Sequence, residues 1–512
     1  MLQRPTALAL VLSAAIAACG SDDAANGSPI ADAGDAALAS DTAAPDPLVD
    51  SALGDTGTEA DGGLPVEGGD ASGDAGAGLF PLRVAPDKNT LVDASGRPFL
   101  IVGDAAWSLV AELTTTEAIR YLDDRKSRGF NTVLVNLIEH KFTSHTPAWK
   151  NAAGDPPFAS TADFSVLDEA YFAHVDEVLR AANDRGILVL LAPSYMGYAC
   201  GDEGWCAEMK QNGTAKLAAY GQAVGRRHAN TPNILWVEGG DHTPATTGSP
   251  SELDLVNAVA TGIRGADGVH LHTAHWGEIS AGEGPVVSWL GVDSTYSYAA
   301  PALYPQTLKD RARDVGARPF FFIEGSYENE HSSPPVQLRA QMYQPVLSGS
   351  SGFVFGLFPM WSFWKPGAPP WMFDDGAYPG GWTTALATPG AKDVTNARAL
   401  FSAVGWSGLA PDTQHALVTA GFGQNGTGQY ALAAKSADGR AALVYFTASL
   451  TVTVDLTRLT GTSVRARWFD PSSGAFRDIV GSPFVRSGTK SLGPSPAAAD
   501  GAPDAVLVLE GM

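Results

Sequence analysis

Glu324 closes the stretch Arg318-Pro-Phe-Phe-Phe-Ile-Glu-Gly-Ser-Tyr327, and Asp241 closes Asn233-Ile-Leu-Trp-Val-Glu-Gly-Gly-Asp241. Each is a short apolar run that ends in glycine and acid. Such a run, bounded by turn formers, fits a strand buried on both faces. A carboxylate at the C-terminal end of such a strand stands where a (β/α)8 barrel places its chemistry. Two of them supply the nucleophile and the proton donor that a retaining glycoside hydrolase needs, with carboxyl groups ~5–5.5 Å apart. Glu238 lies three residues before Asp241 and competes with it. A single buried strand-end acid more often serves a structural ion pair. The occurrence of acids at both the fourth and the seventh strand is what favours catalysis.

Other side chains at the same predicted rim suit a sugar. Trp107 follows the first strand, Tyr195 the third, His275 and Trp276 the fifth, Tyr296 and Tyr298 the sixth. Trp361, Trp364, Trp371 and Trp382 follow the eighth. Flat aromatics match the apolar C–H faces of sugar rings. Singly, each is as well explained by packing. His275, Asp104 and Asn136 are candidates to bind substrate hydroxyls, with a structural histidine, a turn cap and a strand-end amide as their plain alternatives. Glu328 and Glu330 are expected in a solvated loop. His-Glu-x-x-His, Cys-x-x-Cys, a calcium loop and Gly-x-Ser-x-Gly are all absent, so neither a metal nor an organic cofactor is expected and a serine nucleophile has no elbow.

Eight strands must carry these residues. They are expected at Phe99–Gly103, Thr132–Leu137, Leu188–Ala192, Ile234–Val237, Leu271–Ala274, Val292–Tyr296, Phe320–Ile323 and Gly352–Phe358. Helices fit between them at Thr116–Arg128, Leu167–Arg185, Gly213–His228, Leu253–Arg264 and Pro335–Leu347. Strands alternating with helices imply parallel βαβ units and, with eight strands, a TIM barrel over residues 79–406. A doubly wound sheet would place a Gly-rich phosphate loop after the first strand, and Gly103-Asp-Ala-Ala-Trp107 is not one. A small hairpin over residues 82–98 leads into the barrel. From residue 407 to 512 short β runs (Ala416–Val418, Gln429–Ala434, Ala441–Phe446, Leu450–Asp455, Val464–Phe469, Ala505–Leu509) predict a β-sandwich accessory domain.

The N-terminal part reads differently. Residues 1–18 have Arg4 and a short apolar core and form an export signal, too short to span a membrane. Ile16-Ala-Ala-Cys19 fits a lipobox, with Cys19 the lipidated residue and Ser21 the mark of outer-membrane placement. A plain secretory signal is the alternative. Residues 19–78 are rich in Ala, Asp and Gly and are expected to be a disordered tether. The formal net charge is -22, and residues 20–80 hold 13 acids with no Lys or Arg. The remainder is only mildly acidic, which argues against a nucleic-acid partner. Three cysteines make an odd count. With Cys19 lipidated, Cys200 and Cys206 remain for a small disulfide, or as two thiols. No nearby Cys or His completes a metal site around them.

Many motifs in order make the chain similar to a known family. Val102-Gly-Asp-Ala-Ala-Trp107, Glu117-Ala-Ile-Arg-Tyr-Leu-Asp-Asp-Arg125 with Gly129-Phe-Asn131, Tyr171-Phe-Ala-His-Val-Asp176, Arg185-Gly186, Pro232-Asn-Ile-Leu-Trp-Val-Glu-Gly-Gly-Asp241 and Glu324 with Tyr327-Glu328 resemble the apiosidase-like glycoside hydrolases of family 140. Ala442-Leu-Val-Tyr445, Val454-Asp-Leu456 and Arg467-Trp-Phe-Asp-Pro471 resemble a C-terminal domain of the collagen-binding type. The resemblance implies a (β/α)8 barrel, a retaining mechanism, Asp241 as acid/base, Glu324 as nucleophile, and release of apiose from branched pectin. Two departures bear on the sugar. Glu238 stands where the family is usually apolar, and Asp293 and Tyr296 stand where it more often shows Asn and Gln, near the subsites. Nothing in residues 407–512 points to collagen. A non-catalytic glycan- or matrix-binding surface lipoprotein is the rival reading. A lyase or esterase is a second, but the strand ends offer no basic pair to abstract a proton.

Overall fold

The computed structural model describes residues 78–368 and 375–512. The export signal, Cys19 and all of the tether but its last residue, Gly78, lie outside the described residues, as does Trp371. The described chain opens on a hairpin in which Arg83–Val84 pairs antiparallel with Leu91–Val92.

Eight parallel strands follow: β1 (Ile101–Ala105), β2 (Thr132–Asn136), β3 (Leu188–Ala192), β4 (Ile234–Gly239), β5 (His272–His275), β6 (Asp293–Tyr296), β7 (Phe320–Glu324) and β8 (Gly352–Phe355). Their order in the sheet is β5-β4-β3-β2-β1-β8-β7-β6. At the β5–β6 seam the N–H groups of Gly291 and Val292 donate to His272 O at 3.0 and 3.1 Å, and the Ser294 hydroxyl donates to Ala274 O. The sheet therefore closes into a TIM barrel. β1 starts two residues later than its pattern suggests, because the Phe99 N–H donates to Leu91 O and belongs to the hairpin.

Helices α1 (Thr115–Ser127), α2 (Glu169–Asp184), α3 (Cys206–His228), α4 (Glu252–Ala266), α5 (Tyr304–Asp314), α6 (Pro335–Leu347) and α7 (Pro389–Val404) accompany the strands. α1 begins with a capping box between Thr114 and Glu117, which satisfies two N-terminal amides at once. α3 extends back to Cys206, with a kink at Gly213. α5 has no counterpart in the hydrophobic pattern. Its buried face is Thr307, Asp310 and Asp314 beside Tyr304, so a polar inner face replaces the apolar stripe that marks most helices.

Period two along the strands separates two cores. Ile101, Leu134, Leu188, Leu190, Leu235, Val237, Phe321 and Ile323 fill the interior. Val102, Val133, Val135, Val189, Leu191, Trp236 and Phe322 pack outward on the helices.

After α7 come ten short strands. One antiparallel sheet contains β9 (Leu409–Pro411), β11 (Ala431–Ser436), β12 (Ala441–Phe446), β14 (Ser463–Phe469), β15 (Phe476–Asp478), β16 (Phe484–Val485) and β18 (Ala505–Gly511). A second holds β10 (Val418–Ala420), β13 (Val452–Asp455) and β17 (Thr489–Leu492). Val444, Leu507 and Leu509 of the first meet Val418, Val452, Val454 and Leu492 of the second, so the predicted sandwich forms. β15, β16 and β17 escape the sequence pattern because they are largely exposed. Leu432, Val506 and Val508 of the sandwich share a core with Tyr343 of α6 and Phe401 of α7.

Candidate active site

The same alternation sorts the candidate residues. Trp107 has the parity of Ile101 and Ala105, Asn136 that of Leu134, and Tyr296 that of Val292, so all three point inward with the interior core. Asp104 has the parity of Val102, Glu238 that of Ile234 and Trp236, and Trp276 that of Ala274, so these three face the helices.

Asp241 reaches the interior by a turn. The chain passes through Gly239, Gly240 and Asp241 with φ of +83°, +121° and +49°. A Cβ on Gly240 would stand 2.4 Å from Tyr195 Cδ2, and one on Gly239 2.5 Å from the Trp276 ring. Only glycine passes there. Glu324 reaches the interior by a bulge. Strict alternation after Phe321 and Ile323 would turn it toward the helices. The β6–β7 register slips instead, so that Thr295 pairs with Phe322 but Tyr296 pairs with Glu324. The extra residue in β7 returns Glu324 to the inner face.

His275 stands between the two acids. Its Nδ1 accepts the Asp241 backbone N–H at 2.9 Å, and its Nε2 lies 2.9 Å from Glu324 Oε2. At that distance the two groups attract each other strongly in a buried setting. The Tyr296 hydroxyl donates to Asp241 Oδ1 at 2.9 Å and the Tyr195 hydroxyl to Oδ2 at 3.4 Å. Asp241 and Glu324 face one cavity of about 150 Å³, walled by Trp107, Phe142, Tyr195, Tyr298, Tyr327 and Trp361.

Burial and the charge of Glu324 push the Asp241 carboxyl up to about 7, against the opposing pull of His275 and Tyr296. Burial disfavours a charged His275, but the charges of Glu324 and Asp241 outweigh it and draw its proton affinity upward. The backbone N–H at Nδ1 makes that nitrogen an acceptor. In the neutral ring the hydrogen therefore lies on Nε2 beside Glu324, an assignment that follows from the bonding network. Two interior carboxyls, one held near neutrality and one beside an N–H, form the arrangement from which acid and nucleophile roles can divide.

Residues 85–407 match the family model described as "Apiosidase-like, catalytic domain". The chain belongs to the apiosidase-like family. That makes it a glycoside hydrolase. Residues 414–510 match a second model, described as "Putative collagen-binding domain of a collagenase". A glycoside hydrolase family 5 protein from Bacteroides vulgatus ATCC 8482 is 21% identical, with 84% of this chain and 93% of that one covered and a TM-score of 0.70. A second solved structure, described as "Glycoside hydrolase", is also 21% identical, over 85% and 97% of the two chains, with a TM-score of 0.70. At these identities the likeness is one of fold. No curated protein matches the chain.

Within this apiosidase-like barrel, several expected binding residues take other roles. Asp104 is fully buried, accepts Tyr121 OH at 2.7 Å and pairs with Arg125 Nε at 2.5 Å. It anchors α1 to β1. Glu238 lies 3.0 Å from His272 Nδ1 in the helix layer. Trp276 donates to Ala281 O at 3.2 Å and packs outside the barrel. Trp364 donates to Ala368 O at 3.2 Å and does not line the cavity. Asp293, expected near the subsites, is on the outer face and pairs with Arg313. Burial and Asp314 push its carboxyl up to about 8. Trp107, Asn136, Tyr195 and Trp361 do line the cavity, while His275 and Tyr296 touch its acids. Cys200 and Cys206 are bridged by a disulfide, with Cα atoms 5.3 Å apart.

Glu328 and Glu330 are not in a solvated loop. Glu328 accepts Thr388 Oγ1 at 2.6 Å, and Glu330, 7% exposed, accepts Trp361 Nε1 at 2.6 Å at the cavity wall. Glu139 passed unnoticed. It is fully buried, and its Oε2 takes Ser108 OH at 3.0 Å and Asn136 Nδ2 at 3.1 Å. Its Oε1 takes the N–H groups of His140, Lys141 and Phe142 at 2.9, 3.2 and 3.3 Å, which folds the loop that delivers Phe142 to the cavity. The spacing Asn136-x-x-Glu139 just past a barrel strand was its only sequence signal. Glu203 also faces the cavity. Its position after the third strand and between two cysteines was the clue there.

Proposed function

We propose that the chain is a retaining glycosidase acting on a plant polysaccharide side chain, with Glu324 as nucleophile and Asp241 as acid/base. The observation that carries this reading is that both acids face one aromatic-walled cavity, where burial and the charge of Glu324 push Asp241 up to about 7. Glu324 attacks the anomeric carbon as the glycosidic C–O bond breaks, and Asp241 gives its proton to the leaving oxygen. Asp241, now a carboxylate, takes a proton from water, and the resulting oxygen displaces Glu324 from the anomeric carbon. His275 and Tyr296 hold the two carboxylates in place. The test is the configuration of the first-formed product. Retention in time-resolved NMR of the released sugar is expected, and inversion would sink the covalent step.

The same roles set the pH dependence. Asp241 must start protonated, so kcat/KM is expected to fall as pH rises through about 7. The Tyr296 hydroxyl bonds to the ionised form of Asp241 and so favours loss of that proton. Tyr296→Phe is expected to move the alkaline limb to higher pH. A limb that does not move in a kcat/KM profile would separate that hydroxyl from the titrating acid.

A further inference from the structure

One buried carboxyl close to the cavity has no part in the hydrolytic scheme. Glu139 stands three residues beyond β2, is fully buried and does not itself line the cavity. Its partners are donors. The N–H groups of His140, Lys141 and Phe142 converge on Oε1 at 2.9, 3.2 and 3.3 Å. Oε2 takes the Ser108 hydroxyl at 3.0 Å and Asn136 Nδ2 at 3.1 Å. A carboxylate only accepts, so the Asn136 amide must turn its NH2 side toward Glu139.

That decides where the other side of the amide goes. Asn136 ends β2, is 2% exposed and lines the cavity together with Asp241 and Glu324. Its Oδ1 is buried and has no hydrogen-bond partner within the protein. A buried carbonyl oxygen left unpaired is costly, and a donor entering the cavity can pair it. Tyr298 and Tyr327 line the cavity too, but a phenol hydroxyl can donate or accept and adapts to what it meets. Asn136 cannot turn over without setting its oxygen against Glu139. The same acid shapes the wall. Ser108 Oγ also lies 2.8 Å from Phe142 O, and the Phe142 ring stands edge-on to Trp361 with centroids 5.0 Å apart.

We infer that Glu139 is a positioning residue that fixes the Asn136 amide with Oδ1 toward the cavity, where it accepts a hydrogen bond from one hydroxyl of the bound sugar and so sets specificity for a hydroxyl at that position. This rests on the reading of the cavity as the place where the sugar of the scissile bond sits.

The test uses methyl β-D-apioside, with monodeoxy and monodeoxyfluoro analogues at each of its hydroxyls in turn, and reads binding by calorimetry. Fluorine keeps a weak acceptor and removes the donor. At one hydroxyl, wild type is expected to bind both analogues at least about tenfold more weakly than the parent. Asn136→Leu is expected to bind the parent at least about tenfold more weakly than wild type does, and to lose nothing further with that deoxy analogue, as two changes that delete one contact should. Glu139→Gln would keep its amide oxygen under the three N–H groups and turn its NH2 toward Asn136, which then flips and offers an N–H to the cavity. Its gap between the parent and the fluoro analogue is therefore expected to narrow, a change that a general loosening of the loop would not produce. The inference is overturned if wild type binds none of these glycosides, if every analogue binds like the parent, or if the losses from analogue and Asn136→Leu simply add. An unchanged fluoro gap in Glu139→Gln would overturn the positioning role. If the expected pattern holds while Glu324→Gln retains activity, the hydrolytic pair fails and the Asn136 contact stands. If the pair holds while the analogues bind like the parent, the contact alone fails.

Discussion

Glu324→Gln is expected to lower kcat/KM on the order of 10⁴-fold or more, whatever the leaving group. A neutral amide cannot form the glycosyl ester, and loss of a covalent nucleophile is rarely compensated by the rest of a site. The substitution is nearly isosteric, so the fold should survive. The amide oxygen can still sit against His275 Nε2, which now lies 2.9 Å from Glu324 Oε2. Asp241→Asn should behave differently. With a poor leaving group it should cost nearly as much, because the departing oxygen needs its proton. With an activated aryl leaving group the first step needs little acid assistance, and the loss should shrink by at least about tenfold. The measurement is kcat/KM for both variants on a series of aryl glycosides of graded leaving-group acidity. The assignment of roles would fail if Glu324→Gln retained activity with the best leaving group, or if the two variants responded alike across the series.

The second large effect concerns stability. Arg339 of α6 is fully buried between the barrel and the sandwich. Its Nε and Nη2 bond to Asp504 at 2.7 and 2.6 Å, and its Nη1 bonds to Asp500 at 2.7 Å and to Asp393 of α7 at 3.0 Å. Tyr445 adds a bond to Asp504 at 3.1 Å and stacks on Tyr343 with centroids 4.7 Å apart. One guanidinium thus balances three carboxylates. Burial pushes the Asp393 carboxyl up to about 7 even with Arg339 pulling it down. Arg339→Met should leave these acids without a cation and cost ~3–5 kcal/mol. The midpoint of chemical unfolding should fall accordingly, with both the barrel and sandwich signals affected. A loss below ~1 kcal/mol would show that the two parts are held by their shared apolar core instead. Because Arg339 lies in α6 on the outer face, away from the cavity lining, residual activity per folded molecule should change little.

The architecture was largely legible in the chain. Apolar runs such as Leu188–Ala192 and the capped helix after Thr114 declare their own local structure, and short-range physics places them without knowledge of their neighbours. Where the local signal is weak the sequence misleads. α5 buries Thr307 against Ser348, and Asp310 and Asp314 beside Arg313, instead of an apolar stripe, so nothing in its pattern marks it as a helix. The strands β15 to β17 lack alternation because they are largely exposed on both sides.

The site divides along a similar line. Period two applied to β1, β4 and β5 would have sent Asp104, Glu238 and Trp276 to the helix layer, because alternation is a local property of an extended chain. The same rule would have sent Glu324 there too. Only the register slip against Tyr296 brings it inside, and a slip is set by the pairing of two strands distant in sequence. Residue types and order alone thus determined the barrel, the sandwich and the two acids at the ends of the fourth and seventh strands. Tertiary structure decided which acids share a cavity, that His275 lies between them, and that Glu203 and Glu330 join them. Those facts depend on bulges, turns and a disulfide loop whose geometry is fixed by long-range contacts and not by the residues beside them.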